Sequence, residues 1–181
     1  MTDSDRQLLL EIARAAIVAH VTSAVPPRPA ASGALARRAG VFVSLHQLGD
    51  LRGCIGHLEA DAPLVESVAE CARLACSADP RFPAVAQSEV AALDIEISIL
   101  GPLETIASPD EIQIGRHGLL VEQGFHRGLL LPQVATVWQW SPKVFVEQAC
   151  QKAGLPHDAW QHGASLCRFE AEVFSERSRE S

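Results

Sequence analysis

The chemistry this chain could perform is concentrated in Gly49-Asp50-Leu51-Arg52-Gly53-Cys54-Ile55-Gly56-His57, which sets a thiol, a guanidinium and an imidazole within a few residues of one another. Arg52 and Cys54 are two apart, so on a strand their side chains leave the same face. A guanidinium beside a thiol favours the thiolate, the form that acts as a nucleophile or a soft metal ligand. Gly53 and Gly56 let another backbone or a ligand come close. Whether Cys54 is available depends on register. A two- or four-residue turn before Leu51 puts it on the face of Val43 and Leu45, buried and inert; an odd loop or a bulge puts it beside Ser44 and His46. Cys54-Ile55-Gly56-His57 also has the spacing of a metal-ligand pair, but a zinc site calls for a second close pair and the chain has none, so no metal is expected.

Three further groups could join this stretch. Asp79 and Arg81 flank Pro80 in a rigid turn, where they pair with each other or line a cleft with Arg52. Glu96 lies on the polar side of an alternating strand, a solvated carboxylate or a general base. Gln133 and Arg127 could donate hydrogen bonds to an anion. Cys71, Cys76, Cys150 and Cys167 sit on apolar faces and read as structural. Trp138, Trp140 and Trp160 read as packing anchors. There is no Gly-rich phosphate loop, nucleophile-elbow serine or dinucleotide fingerprint, and no cofactor is expected.

The elements that position these groups follow from periodicity and turn chemistry. Apolar residues from Leu8 to Ile17 recur at helical spacing, which predicts a helix over 4–20 capped by Thr2 or Ser4. Prolines 26, 27 and 29 forbid its continuation, and 25–40 reads as a surface excursion. Val41–Leu45 and Leu51–Ile55, joined by Gln47-Leu48-Gly49-Asp50, predict a β-hairpin. A second helix starts at Asp61-Ala62-Pro63, with Glu66, Glu70, Arg73 and Ser77 on its polar stripe. Asp94–Ile99 alternates as a strand with three isoleucines on one face. Gly118–Gln123 and Arg127–Leu131 predict a second hairpin. Pro132 and Ser141-Pro142 open helices, the latter stopped by Gly154. Residues 167–173 alternate as a last strand, and 176–181 form a polar, frayed tail. Hairpins and scattered helices without regular strand–helix alternation favour an α+β fold, a mainly antiparallel sheet flanked by helices.

Composition sets the outer bounds. A chain of 181 residues supports one domain with its own core. The net charge of −7, without a basic run, argues against nucleic acid and anionic membranes as partners. No apolar run approaches the roughly 20 residues that cross a bilayer. An acidic start (Met1-Thr2-Asp3-Ser4-Asp5) and five irregularly spaced cysteines lead us to expect a cytoplasmic protein with reduced thiols.

Leu51-Arg52-Gly53-Cys54-Ile55-Gly56 resembles the signature hexapeptide of the AMMECR family, whose prokaryotic members are known as protein A of the AmmeMemoRadiSam system. Gly40–Leu45, Asp79-Pro80-Arg81-Phe82, Leu93–Ser98, Arg127-Gly128 with Leu131-Pro132-Gln133-Val134, and Ala153-Gly154-Leu155-Pro156 with Trp160 are similar to further blocks of that family. In order they span residues 40–170. His57 stands where the family usually carries threonine, so no role for it comes from the resemblance. The resemblance implies a single domain over 1–175 with two unequal lobes. By genomic association it also implies partnership with a Memo-type protein and a radical-SAM protein. It supplies no reaction. The expectation is a small enzyme or enzyme component using Arg52, Cys54 and Glu96 on a small polar or anionic metabolite. Gly53, Gly56, Asp79, Arg81 and Gln133 would help to bind it. The alternative is a non-catalytic module presenting the same surface to a protein partner.

Overall fold

The computed structural model describes residues 1–26, 30–58 and 61–177. Parts of the expected excursion (27–29) and tail (178–181) lie outside the described residues. The chain divides into two compact units: Met1–Ile99 with Glu172–Ser181, and Leu100–Ala171.

The first unit is built on the hairpin. Strand β1 (Val41–Gln47) pairs antiparallel with β2 (Asp50–His57) on one side and with β3 (Leu93–Leu100) on the other. Helices α1 (Asp3–Val21) and α2 (Leu64–Ser77) pack against each other, and α2 also packs on β1 and β2. Helix α1 starts where Thr2 and Asp5 close a reciprocal capping box. Val41, Val43 and Leu45 of β1 and Ile95, Ile97 and Ile99 of β3 form the core with Leu9, Ile17, Val65, Val68 and Ala72 of the helices. Both faces of β3 are buried. The end of the last strand, β7 (Ser165–Ser175), belongs to this unit from Glu172 onward. Its order extends past the point where fraying was expected. Glu176 donates its N–H to Ile95 and accepts from Arg14, and Arg177 N–H reaches Asp94.

In the second unit β5 (His117–Gln123) pairs antiparallel with β6 (His126–Leu130) and with the first part of β7. The short β4 (Glu104–Ile106) pairs with β7. Gly124 and Phe125 make the two-residue turn, Gly124 at φ +60°. Helix α3 (Pro132–Val137) follows β6, and α4 (Pro142–Lys152), capped by Ser141, lies on β5 and β6. Phe145, Val146 and Ala149 fill a core with Leu119, Val121 and Leu130. The fold is α+β with antiparallel pairing in both units, as the sequence predicts.

Both units lay a helix across a strand glycine. A Cβ on Gly53 would sit 2.2 Å from the Ala75 carbonyl oxygen of α2. One on Gly128 would sit 2.5 Å from the Ala149 carbonyl oxygen of α4. No side chain fits between helix and strand at either place. Among the described residues, no helix is long and apolar enough to cross a membrane.

Candidate functional site

The register of the first hairpin decides where Cys54 goes. Its turn is two residues long, Leu48-Gly49, both at positive φ (+54° and +94°), the backbone of a tight hairpin turn. Plain two-residue geometry would set Cys54 opposite Val43, on the core face. The pairing slips by one between Leu45 and His46, however: His46 opposes Leu51 and Leu45 opposes Gly53, which leaves Arg52 as an extra residue in β2. The bulge returns Gly53 and Ile55 to the helix-covered face and turns Cys54 to the other, opposite Ser44. Ser44 in turn opposes Glu96 of β3. A row of Cys54, Ser44 and Glu96 therefore crosses three strands on the face away from the isoleucines. The Ser44 hydroxyl donates to Cys54 Sγ at 3.2 Å. Cys54 is half-buried, while Ser44 and Glu96 are buried. Burial of Glu96 departs from its expected place as a solvated carboxylate, because β3 is enclosed on both faces.

Arg52 is engaged elsewhere than the expected pairing with the thiol. Its Nε and Nη2 form a fork on Glu89 (2.9 and 3.1 Å), and Nη1 donates to the Pro83 carbonyl at 2.9 Å. Glu89 also accepts from the Ala86 N–H, tying the segment after α2 to the hairpin, and Arg52 holds its carboxyl below the usual range. Arg52 is a strut.

The guanidinium at the cysteine belongs to Arg81. Asp79, whose side chain is 2% exposed, accepts from Cys54 N–H at 2.8 Å, from Arg81 N–H at 3.0 Å, and from Arg81 Nε and Nη2 at 2.9 and 2.7 Å. Those bonds, the Arg81 side chain first, pull the Asp79 carboxyl down to about 2. Arg81 Nη2 also reaches the Cys54 carbonyl at 3.5 Å. Asp79 and Arg81 thus stand in for a neighbouring strand at the open edge of β2. Asp79 holds Arg81 protonated, and the Cys54 side chain adds to this. The Phe82 ring lies 5.4 Å from the guanidinium carbon.

The glycines serve packing. Gly53 admits α2, and a Cβ on Gly56 would lie 2.2 Å from the ring of Phe42, its cross-strand neighbour. His57 ends β2, exposed and opposite Val41. Gln133 and Arg127 belong to the second unit, Gln133 in the first turn of α3 and Arg127 on β6 paired with Glu122. Cys71, Cys76 and Cys150 are buried, and burial pushes the Cys71 thiol up to about 12. No group of three or more His, Cys, Asp or Glu side chains that could hold a metal ion occurs among the described residues. A groove of about 710 Å³ between α1 and α2, lined by Ala16, His20, Val65, Ala69 and Arg73 among others, contains none of the expected site residues.

Glu89 and the role of Ser44 escaped the sequence reading. Ser44 was visible as the one hydroxyl in an apolar strand, but its meaning depended on the bulge. Glu89 offered only the weaker signal of a carboxylate three residues into a helical turn.

The sequence profile of the AMMECR1 family matches residues 10–174. The chain belongs to the AMMECR1 family. Relatives in Methanosarcina mazei (40% identical, covering 98% of this chain and 94% of the relative) and Thermococcus onnurineus (41%, covering 94% and 89%) bear no more specific description than "protein". A crystal structure of the uncharacterized protein PH0010 from Pyrococcus horikoshii superposes with a TM-score of 0.92 at 37% identity, over 98% of this chain and 94% of that one. Within the matched span, Leu51–Gly56 lies in the bulged strand β2, and Asp79 and Arg81 clamp that strand's edge.

Proposed function

We propose that this AMMECR1 protein is a cytoplasmic enzyme or enzyme component whose working group is the Cys54 thiol, acting on a small polar or anionic metabolite together with Memo-type and radical-SAM proteins. The observation that carries this is the bulge at Arg52, which removes Cys54 from the core and sets its sulfur against the Ser44 hydroxyl and beside Arg81. The Ser44 hydroxyl on sulfur and the Arg81 cation bound at the same residue's carbonyl can stabilise negative charge there during attack on an electrophile. Glu96, next in the row after Ser44, is the candidate proton acceptor. Packing or edge protection accounts for Arg52, Gly53, Gly56 and Asp79, whereas nothing in the packing requires a thiol at position 54. Five free thiols suit a reducing compartment.

The test is time-resolved iodoacetamide labelling of the native protein, resolved by site with mass spectrometry. Cys54 is expected to label first, with Cys71, Cys76 and Cys150 protected. Labelling of Cys54 no faster than of those three would remove the thiol from consideration. A docking module is the second reading, favoured by two apolar side chains at the hairpin tip, Leu48 (93% exposed) and Leu51 (39%). Loss of partner capture in Leu48→Asp, with Cys54→Ser binding normally, would support it.

A further inference from the structure

Arg81 is fixed on one side and open on the other. Asp79 holds Nε and Nη2 in a fork, the Phe82 ring lies 5.4 Å from the guanidinium carbon, and the Cys54 carbonyl takes a remaining Nη2 hydrogen. Among the described residues Nη1 makes no hydrogen bond, and the side chain is 55% exposed. Structural needs do not call for the free end. Edge protection of β2 uses only Asp79 and Nη2, and the ion pair uses only Nε and Nη2. What is left is a tethered, half-exposed cation with one nitrogen unused, bound at the backbone of the half-buried Cys54, whose sulfur accepts from the Ser44 hydroxyl.

We infer that Nη1 of Arg81 anchors a carboxylate of the substrate and so positions the adjoining carbon for Cys54 Sγ. This deepens the thiol reading above and rests on it. A carboxylate matches the site better than a phosphate dianion. Asp79 already offsets most of the Arg81 charge, and a single free nitrogen offers one oxyanion contact rather than the several that phosphate sites gather. Because Asp79 and Phe82 pre-orient the guanidinium, little side-chain entropy remains to be lost on binding.

The haloacetates test this directly. Iodoacetate and iodoacetamide have the same reactive carbon and differ in a carboxylate against a neutral amide. In both reactions sulfur attacks the methylene carbon, a C–S bond forms, the C–I bond breaks, iodide leaves and the thiol proton passes to solvent. The ratio of the two rate constants at Cys54 cancels any change in the sulfur's own reactivity and isolates recognition of the carboxylate. With glutathione as the reference thiol, the ratio at Cys54 in the full chain is expected to be about tenfold higher, the scale of one charge-assisted hydrogen bond. It should fall to the glutathione value in Arg81→Gln and lie between the two in Arg81→Lys. Acetate should slow iodoacetamide labelling of wild-type Cys54 where acetamide does not, a measurement that needs no variant to fold. A wild-type ratio equal to that of glutathione overturns the anchor while leaving Cys54 a reactive thiol. Failure of both reagents to label Cys54 overturns the thiol reading itself. A raised ratio that survives Arg81→Gln takes the anchor away from Arg81, and stronger protection by inorganic phosphate than by acetate overturns the choice of carboxylate.

Discussion

Replacing Asp79 by asparagine keeps the side chain's shape and removes its charge, and the structure sets how the effect must depend on pH. The carboxyl falls from its ordinary 3.8 to about 2. A tenfold change in a proton-binding constant is worth about 1.4 kcal/mol, so the ionised Asp79 contributes at most about 2–3 kcal/mol. Half of the Arg81 side chain is in solvent, and screening there brings the figure to about 1–2 kcal/mol. Since the folded-state value is the lower one, this stability is present in full above the ordinary carboxylate range and is lost as pH falls from about 4 to about 2. Urea unfolding followed by circular dichroism at 222 nm reads it, because α1 and α2, the longest helices, are in the first unit. Trp138, Trp140 and Trp160 all lie in the second unit, so their fluorescence gives a separate reading of that unit. Wild type should exceed Asp79→Asn by about 1–2 kcal/mol at pH 7, with the gap falling to about a third of that by pH 2.5. A gap of equal size at both pH values would refute the charge-based account and leave shape alone as the role of Asp79.

Gly53→Ala should cost about 2–3 kcal/mol in thermal or urea unfolding, because the new methyl meets a helix carbonyl that can move only with α2. Gly56→Ala, whose methyl meets both the Phe42 ring and the Val41 carbonyl oxygen, should also destabilise, and an unchanged stability in Gly53→Ala would count against the reading of Gly53. Leu48→Asn places a residue tolerant of positive φ before Gly49 and is expected to raise stability by up to about 1 kcal/mol; a loss would mean that Leu48 is held by contacts despite its exposure. His117 is buried, its Nδ1 accepts from Gln113 N–H at 3.0 Å, and burial followed by the charges of Arg168 and Arg116 lowers its pKa. The second unit should therefore lose stability as pH drops below about 6.5, where the unfolded chain takes up the proton first. In His117→Asn this loss, read by tryptophan fluorescence, should disappear.

Most of the architecture was legible because it rests on local signals. The first helix with a cap at Thr2, the alternation of Asp94–Ile99, the two hairpins and the Ser141-Pro142 start all appear where the sequence placed them. The site was legible in its members but not in its pairings. Arg52 and Cys54 promised a guanidinium–thiol pair by spacing. The extra residue in β2 broke that spacing, and Glu89, 37 positions away, claimed the arginine. Arg81 came to the cysteine instead, through a contact 27 positions long in sequence. Such partnerships depend on where the end of α2 delivers the chain, which no window of local sequence reports. Burial of Glu96 was hidden for a similar reason: alternation shows that a strand has two kinds of face, but not what covers the polar one.

The bulge at Arg52 makes the hairpin a device of parity. Paired without the bulge, position 54 would oppose Val43 and be one more packing site under α2; the slip at Arg52 gives it to the other face. The same residues paired without the slip would send the thiol inward and bring Ile55 out, whereas deleting Arg52 would make the ladder regular and leave the thiol opposite Ser44. A chain that keeps the cysteine but pairs without the slip has kept the letter of the motif and lost its side of the sheet.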